Sequence, residues 1–316
     1  MKTKNIFILF LPFLVSFSWV IFNQNEKQKL PENETELGKL LFSEKLLSSD
    51  KSISCASCHQ EDFAFADSAQ FSIGVNGKLT KRNTPSVLNV LMRESFFWDG
   101  RVNKLEDQAL FPIKNPDEMN LELSEAISRL NKDDYYQKAF KKIYGKIADT
   151  FLLGKAISAF EKTLETDNSK FDRYIADLDT FTTQELRGLD IFNEKGNCFD
   201  CHFGVDFTGD EFINIGLFNN MEWKDKGVSS WNKNTSDDGK FKVPTLRNIA
   251  ITAPYMHNGS FKTLLEVVEY YNNPNTFVDN PINRDSRIKD LNLTTQDKAD
   301  LIAFLHTLTD KKWQKK

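Results

Sequence analysis

Every cysteine in this 316-residue chain lies in one of two copies of a single pentapeptide, Cys55-Ala-Ser-Cys58-His59 and Cys198-Phe-Asp-Cys201-His202. Cys-x-x-Cys-His is the attachment spacing for c-type haem: two thiols bond the porphyrin and the next residue, histidine, ligates its iron. Two such motifs oblige the chain to fold around two rigid planar cofactors. Two Cys-x-x-Cys pairs could also form a four-cysteine zinc site or disulfides. Neither alternative needs a histidine directly after the second cysteine, yet two of the chain's four histidines stand there. The motifs therefore predict two covalent c-type haems held by Cys55, Cys58, Cys198 and Cys201, with His59 and His202 on iron.

The length suits two domains of ordinary size, each with a core around one haem. Lys2 and Lys4 precede an apolar run from Ile6 to Phe22, and the chain then turns polar at Asn23. This pattern predicts a secretory signal over residues 1–25, with an uncleaved membrane anchor as the alternative. Export agrees with covalent haem attachment, and the expected location is the periplasm. Loss of residues 1–22 removes two lysines and no acids, taking the net charge from −4 to −6. An acidic chain argues against nucleic acid as a partner and suits a basic electron-transfer protein.

Apolar periodicity points to a mostly α protein of two cytochrome-c-like domains with long irregular loops. A helix is expected from Glu36 to Leu47, with Leu37, Leu40 and Leu41 on one face. Others are expected near 121–131, 134–144 and 148–165, the last with a stripe of Leu152, Leu153, Ala156, Ile157 and Phe160. Thr182 with Glu185, Thr263 with Glu266 and Thr294 with Asp297 read as helix-opening capping boxes, the first helix running to the second haem motif. Segments 60–84 and 206–245 are long loops of the kind that line cofactors. The two halves form a weak repeat with a hinge within 166–181, dividing an N-terminal haem domain (30–170) from a C-terminal one (171–316).

Between the motifs stand Arg82-Asn-Thr-Pro-Ser-Val-Leu-Asn89, Phe97-Trp-Asp-Gly-Arg101 and Asn115-Pro-Asp-Glu-Met119. After the second come Val243-Pro-Thr-Leu-Arg-Asn248 and Tyr255-Met-His-Asn-Gly-Ser260. In this order they resemble the dihaem cytochrome c peroxidase and MauG superfamily, over about residues 34–310. The resemblance implies Trp98 as an electron relay between the haems, with Gln108, Pro112 and Glu118 in the distal pocket of the first haem. A carboxylate such as Glu118 can take a proton from one peroxide oxygen and return it to the other, while Gln108 positions the peroxide. Without the resemblance, Glu118 reads as a surface acid and Trp98 as a core aromatic. The resemblance also implies calcium between the domains at Asn83, Thr252 and Pro254, oxygen donors suited to that ion; plain interface loops are the alternative.

Two departures redirect the expected function. Typical members cap the first haem with the histidine of a Ser-Ile-Gly-His segment, which leaves only after the other haem is reduced. Here the segment is Ser72-Ile-Gly-Val75, and no histidine occurs between His59 and His202. The first haem is thus expected to be five-coordinate and open to peroxide in its ferric state. At the second haem the family places a ligand fourteen residues after the histidine of Tyr-Met-His, ordinarily methionine and in MauG-type members tyrosine; here that position is Tyr271. An anionic oxygen ligand stabilises ferric iron and lowers its potential. Met256, His257 and Tyr270 compete for the role, and Tyr271 shares a helical face with Leu264, Val267 and Val268, as a core tyrosine would. His306 reads as a packing or surface histidine.

The expected activity is a MauG-like reduction of hydrogen peroxide. Electrons would come from a donor protein, a small cytochrome c or copper protein, or from an oxidisable protein or small-molecule substrate. The alternatives are an ordinary cytochrome c peroxidase that needs reductive activation, and a non-enzymatic electron-transfer cytochrome with two six-coordinate irons.

Overall fold

The computed structural model describes residues 29–314, so the expected signal over 1–25 lies outside the described residues. Among them, no helix is long and apolar enough to cross a membrane. Residues 31–316 form one unit, mostly helical, as the periodicity indicates.

Helix α1 (Glu34–Phe42) opens at Asn33, whose side chain accepts the Glu36 amide at 2.9 Å. It ends at Ser43, short of the expected Leu47; residues Lys45–Leu47 form a separate 3-10 turn capped by Glu44. Leu37 and Leu41 are buried, whereas Leu40 is only partly so. The first haem motif is a single turn, α2 (Cys55–Cys58), held by reciprocal bonds between Ser54 and Ser57. Two more single turns follow, α3 (Leu105–Gln108) and α4 (Phe111–Lys114). Then come α5 (Leu123–Lys132), α6 (Asp134–Tyr144) and α7 (Thr150–Glu161), close to the expected spans. All five residues of the α7 stripe are buried.

The expected hinge contains a helix of its own, α8 (Lys170–Ile175), capped by Ser169 and Asp172. Phe171 on α8 packs against Phe207, Phe304 and Phe181, so the chain joins the second core from here onward. Helices α9 (Thr183–Asn193), α11 (Leu264–Asn272) and α12 (Thr295–Thr307) begin at the three expected capping boxes, with the single-turn α10 (Ser229–Asn232) between α9 and α11. Helix α9 stops at Asn193, before the second motif.

The same crossing is built twice. In the first half α1 packs across α7, and in the second α9 packs across α12. A Cβ on Gly38 would come within 1.9 Å of the Ala156 carbonyl oxygen, and one on Gly188 within 2.0 Å of the Asp300 carbonyl oxygen. A phenylalanine one turn on, Phe160 or Phe304, packs against each glycine. Only glycine lets these backbones meet.

The long loops are fastened by side chains. Ser72 Oγ donates to Asp67 at 2.5 Å, and Asn214 Nδ2 donates to the carbonyls of Asp238 and Ile282 at 2.7 and 2.9 Å. One short antiparallel pair, β1 (Phe212–Ile213) with β2 (Phe241–Lys242), sets Phe212 opposite Lys242. The tip at 73–79 turns back on itself, and the Val75 amide donates to the Glu118 carbonyl at 2.9 Å.

Candidate active site

Each Cys-x-x-Cys-His turn is followed by a loop that bends back onto its histidine. His59 Nδ1 lies 3.0 Å from the Phe65 carbonyl oxygen and His202 Nδ1 lies 2.9 Å from that of Phe207. A carbonyl only accepts, so Nδ1 carries the proton and Nε2 keeps its lone pair for a metal. Phe65 and Phe207 adopt left-handed backbone, φ 56° and 53°, which aims their carbonyls inward. That conformation costs a non-glycine residue about 1–3 kcal/mol and persists where the surroundings enforce it. Burial lowers the pKa of both imidazoles and favours the neutral, ligating form.

The four cysteines are free thiols, and burial raises the pKa of each. Among the described residues no three His, Cys, Asp or Glu side chains gather to hold a metal ion, so the four-cysteine zinc site is not formed. Both motifs instead line one cavity of about 1060 Å³. This exceeds the usual range of about 300–1,000 Å³ for small-molecule sites and fits more than one cofactor. Thiols, Nε2 lone pairs and cavity volume all fit two haems.

The first-haem end holds the expected distal residues. Gln108 closes α3, Pro112 lies in α4, and Glu118 follows α4; all three line the cavity. Asn115 Nδ2 donates to Glu118 Oε1 at 2.6 Å, and Asn115 Oδ1 accepts the Asp117 amide at 3.0 Å. Burial raises the Glu118 pKa above 4.5; the Asn115 bond and the Arg101 charge pull it back in part, and Asp117 adds to the rise. Val75 is fully buried and absent from the cavity wall. Its loop packs on the outer side of the Glu118 segment, where a Cβ on Gly74 would meet the Asp117 carbonyl oxygen at 2.2 Å.

Trp98 also lines the cavity; its Nε1 donates to the Asn83 carbonyl at 2.8 Å, while the Asn83 amide donates to the His257 carbonyl at 2.8 Å. His257 is buried and stacked on Phe241, with ring centroids 3.7 Å apart and Arg82 on the same ring. Burial pushes its pKa down to about 4. Asn83, Thr252 and Pro254 line the cavity, and Asn83 Nδ2 donates to the Ala69 and Gln70 carbonyls, each at 3.2 Å.

At the second-haem end, Leu264, Val267, Val268 and Tyr271 of α11 all face the cavity. The adjacent tyrosines differ. Tyr270 is fully buried, lies off the cavity wall and donates to the Ile215 carbonyl at 2.5 Å. Tyr271 has no hydrogen-bond partner among the described residues; burial raises its pKa, and Tyr270, Cys201 and Cys198 add to the rise. Met256 and His257 share the cavity, and the charges that act on His257 are those of Asp225 and Arg82. His306 is exposed on α12, as expected.

Comparison with known proteins turns these features into an assignment. A model of the Di-haem cytochrome c peroxidase family matches residues 32–180, and one of the Cytochrome c family matches 186–309. The methylamine utilization protein MauG of Methylophilus methylotrophus is 34% identical over 86% of this chain and 81% of its own length. This chain belongs to the dihaem cytochrome c peroxidase family. Within that family, the cytochrome c551 peroxidase of Nitrosomonas europaea is 36% identical over 90% of this chain and 82% of its own. The crystal structure of a MauG-like protein associated with microbial copper homeostasis superposes with a TM-score of 0.81 at 31% identity, covering 90% of this chain and 91% of that one. The chain is accordingly a haem oxidoreductase of two cytochrome-c-like domains.

Three features of the dihaem site take their meaning from the fold rather than from local sequence. Asn115 is legible as the partner of Glu118 only once the turn between them is known. Glu161, at the end of α7, is buried in the cavity wall with Oε2 unpartnered, and burial pushes its carboxyl up to about 8. Asp210 Oδ1 also lacks a hydrogen bond, although Lys242 Nζ stands 3.6 Å away.

Proposed function

We propose that this dihaem protein reduces hydrogen peroxide at an open first haem in a peroxidatic domain, residues 30–170, and receives or stores electrons at a second haem in residues 171–316. The supporting observation is the position of Val75, buried against the Glu118 segment and away from the cavity, so its loop supplies no ligand to the face that Glu118 and Gln108 line. Haem, held through Cys55, Cys58 and His59, supplies the redox chemistry that splits the oxygen–oxygen bond. The chain supplies proton handling. Glu118 Oε1 is fixed by Asn115, leaving Oε2 to accept a proton from peroxide and return it to the departing oxygen. Gln108 orients the peroxide, and Pro112 helps to keep water out.

His202 and Tyr271 are proposed to ligate the second iron, because the Tyr271 hydroxyl faces the cavity unpartnered while the Tyr270 hydroxyl is already bonded. Trp98, lining the same cavity, is the proposed relay, and Asn83, Thr252 and Pro254 the proposed calcium ligands. The proposed setting is the periplasm, with a small cytochrome c, a copper protein or an oxidisable substrate as electron source. MauG-type rather than ordinary peroxidase behaviour is favoured by Val75 and Tyr271 together.

The test is spectroscopy of the oxidised holoprotein. A high-spin first haem should react with peroxide without pre-reduction, and Tyr271→Phe should alter the spin state and potential of the second haem alone. Two low-spin haems inert to peroxide until reduced would indicate an ordinary peroxidase. A second haem indifferent to Tyr271→Phe would remove the tyrosine ligand.

A further inference from the structure

Beside the haem cavity lies a smaller pocket of about 200 Å³. Five of its residues, Phe97, Arg101, Pro112, Asn115 and Glu118, also line the haem cavity. The three that do not, Phe111, Lys114 and Pro116, are exposed to solvent. The pocket thus has a solvent-facing rim and an inner wall that is the outer wall of the distal site, with Glu118 at the boundary. We infer that this pocket is the port by which hydrogen peroxide reaches Glu118, separate from the route taken by electrons. The inference rests on the reading that the first-haem face beside Glu118 is open.

The walls are fixed. The Arg101 guanidinium lies 3.7 Å from the Phe97 ring centroid and its Nη1 donates to both Asp99 oxygens, at 2.7 and 3.0 Å. Phe97 meets Phe111 edge-on at 5.7 Å, and Lys114 Nζ stands 4.9 Å from the Phe111 centroid. Next to the port, the Gly74–Val75 loop packs closely on Asp117, and the Val75 amide donates to the Glu118 carbonyl at 2.9 Å. A volume of about 200 Å³ leaves ample room for peroxide or a small anion. A donor protein is far too large to enter and must deliver its electrons elsewhere. Arg101 and Lys114 put positive charge on the path and leave it passable to neutral and anionic solutes.

The port is tested on the intact dihaem protein by Lys114→Trp, which lays an indole over the Phe111 ring, and by Pro116→Trp, a second plug at another rim position. Phe111→Ala widens the mouth. The readouts are carbon monoxide rebinding after photolysis of the reduced protein, which moves no proton, and cyanide association with the ferric protein, compared only among variants that keep Glu118 because hydrogen cyanide gives up its proton on binding. Both plugs should slow both ligands, and peroxide, by about tenfold with unchanged cyanide affinity, whereas Phe111→Ala should slow none of them. Wild-type cyanide and carbon monoxide rates in both plugged variants overturn the port, as does a plug that slows peroxide alone. Glu118→Gln keeps the two ideas apart: normal peroxide kinetics in it removes the acid–base role of Glu118 while the small-ligand rates still judge the port. If ferric cyanide binding is blocked by a sixth ligand, the open-haem reading fails, and carbon monoxide rebinding still reports on access.

Discussion

Glu118 is positioned by one short bond. The Asn115 amide fixes Oε1 and favours the ionised form, working against a burial that favours the neutral acid. The form that can accept a proton is the carboxylate, so under the proposed role the peroxide reaction should be lost as pH falls through the Glu118 pKa, which burial raises. Asn115→Ala removes a bond that stabilises the carboxylate. A hydrogen bond to a charged group contributes about 1.5–3 kcal/mol, so the acid limb of the rate profile should move up by about one to two pH units. Stopped-flow peroxide kinetics across pH provide the check; an unmoved acid limb with a uniformly lower rate would mean that Asn115 acts only through folding. The motif containing both residues was visible in the sequence, as were the thiols and proximal histidines, because each is written in adjacent letters. The preference for Tyr271 over Tyr270 as the proposed ligand rests, in the sequence, on a spacing alone. The observation that favours it, one hydroxyl bonded to Ile215 and its neighbour without a partner among the described residues, depends on residues far along the chain.

Elements were read well where their ends are encoded locally. Thr182–Glu185, Thr263–Glu266 and Thr294–Asp297 each satisfy backbone donors within one turn, and each opens a helix. Helix α1 ran short because the Ser43 amide returns to the carbonyls of Leu40 and Leu41, and Glu44 starts a new turn although the apolar pattern continues. What could not be read is the duplicated crossing, since the need for glycine at 38 is set by Ala156 and at 188 by Asp300. A methyl group there meets a backbone carbonyl, which cannot rotate aside. Gly38→Ala and Gly188→Ala should each cost about 1–3 kcal/mol by overpacking. The melting temperature followed at the Soret band should fall in both variants. Two variants melting like the wild type would show that the helices part freely, and that the crossings do not hold the haem domains together.

Across the whole molecule the halves are tied by a few buried charges around Asp206, which belongs to the loop of the second motif. Its carboxylate accepts Arg247 Nε at 2.9 Å and Asn89 Nδ2 at 3.1 Å, and pairs with Arg93. Arg247 also bonds both oxygens of Asp172 at 2.9 Å, and Arg82 bonds Asp225 at 2.7 and 2.9 Å from the other direction. Burial would raise Asp172 and Asp225, but the arginine bonds outweigh it and hold both below 3.8. Their contribution is therefore complete above about pH 4 and is lost as pH falls through the depressed folded-state values. Asp206→Ala strips a shared anion from two largely buried arginines. Breaking a buried pair typically costs about 3–5 kcal/mol, and the lower end is expected because Arg247 keeps Asp172. Asn89 and Arg93 come from the first half and Arg247 from the second, so the loss should also weaken cooperation between them. Urea unfolding at neutral pH should shift to a lower midpoint and broaden toward two transitions, one for each haem, and acidification below pH 4 should bring the wild type toward the same behaviour. A single sharp transition at the wild-type midpoint in Asp206→Ala would place the coupling of the two haem domains elsewhere, in the contacts around Trp98 and Asn83.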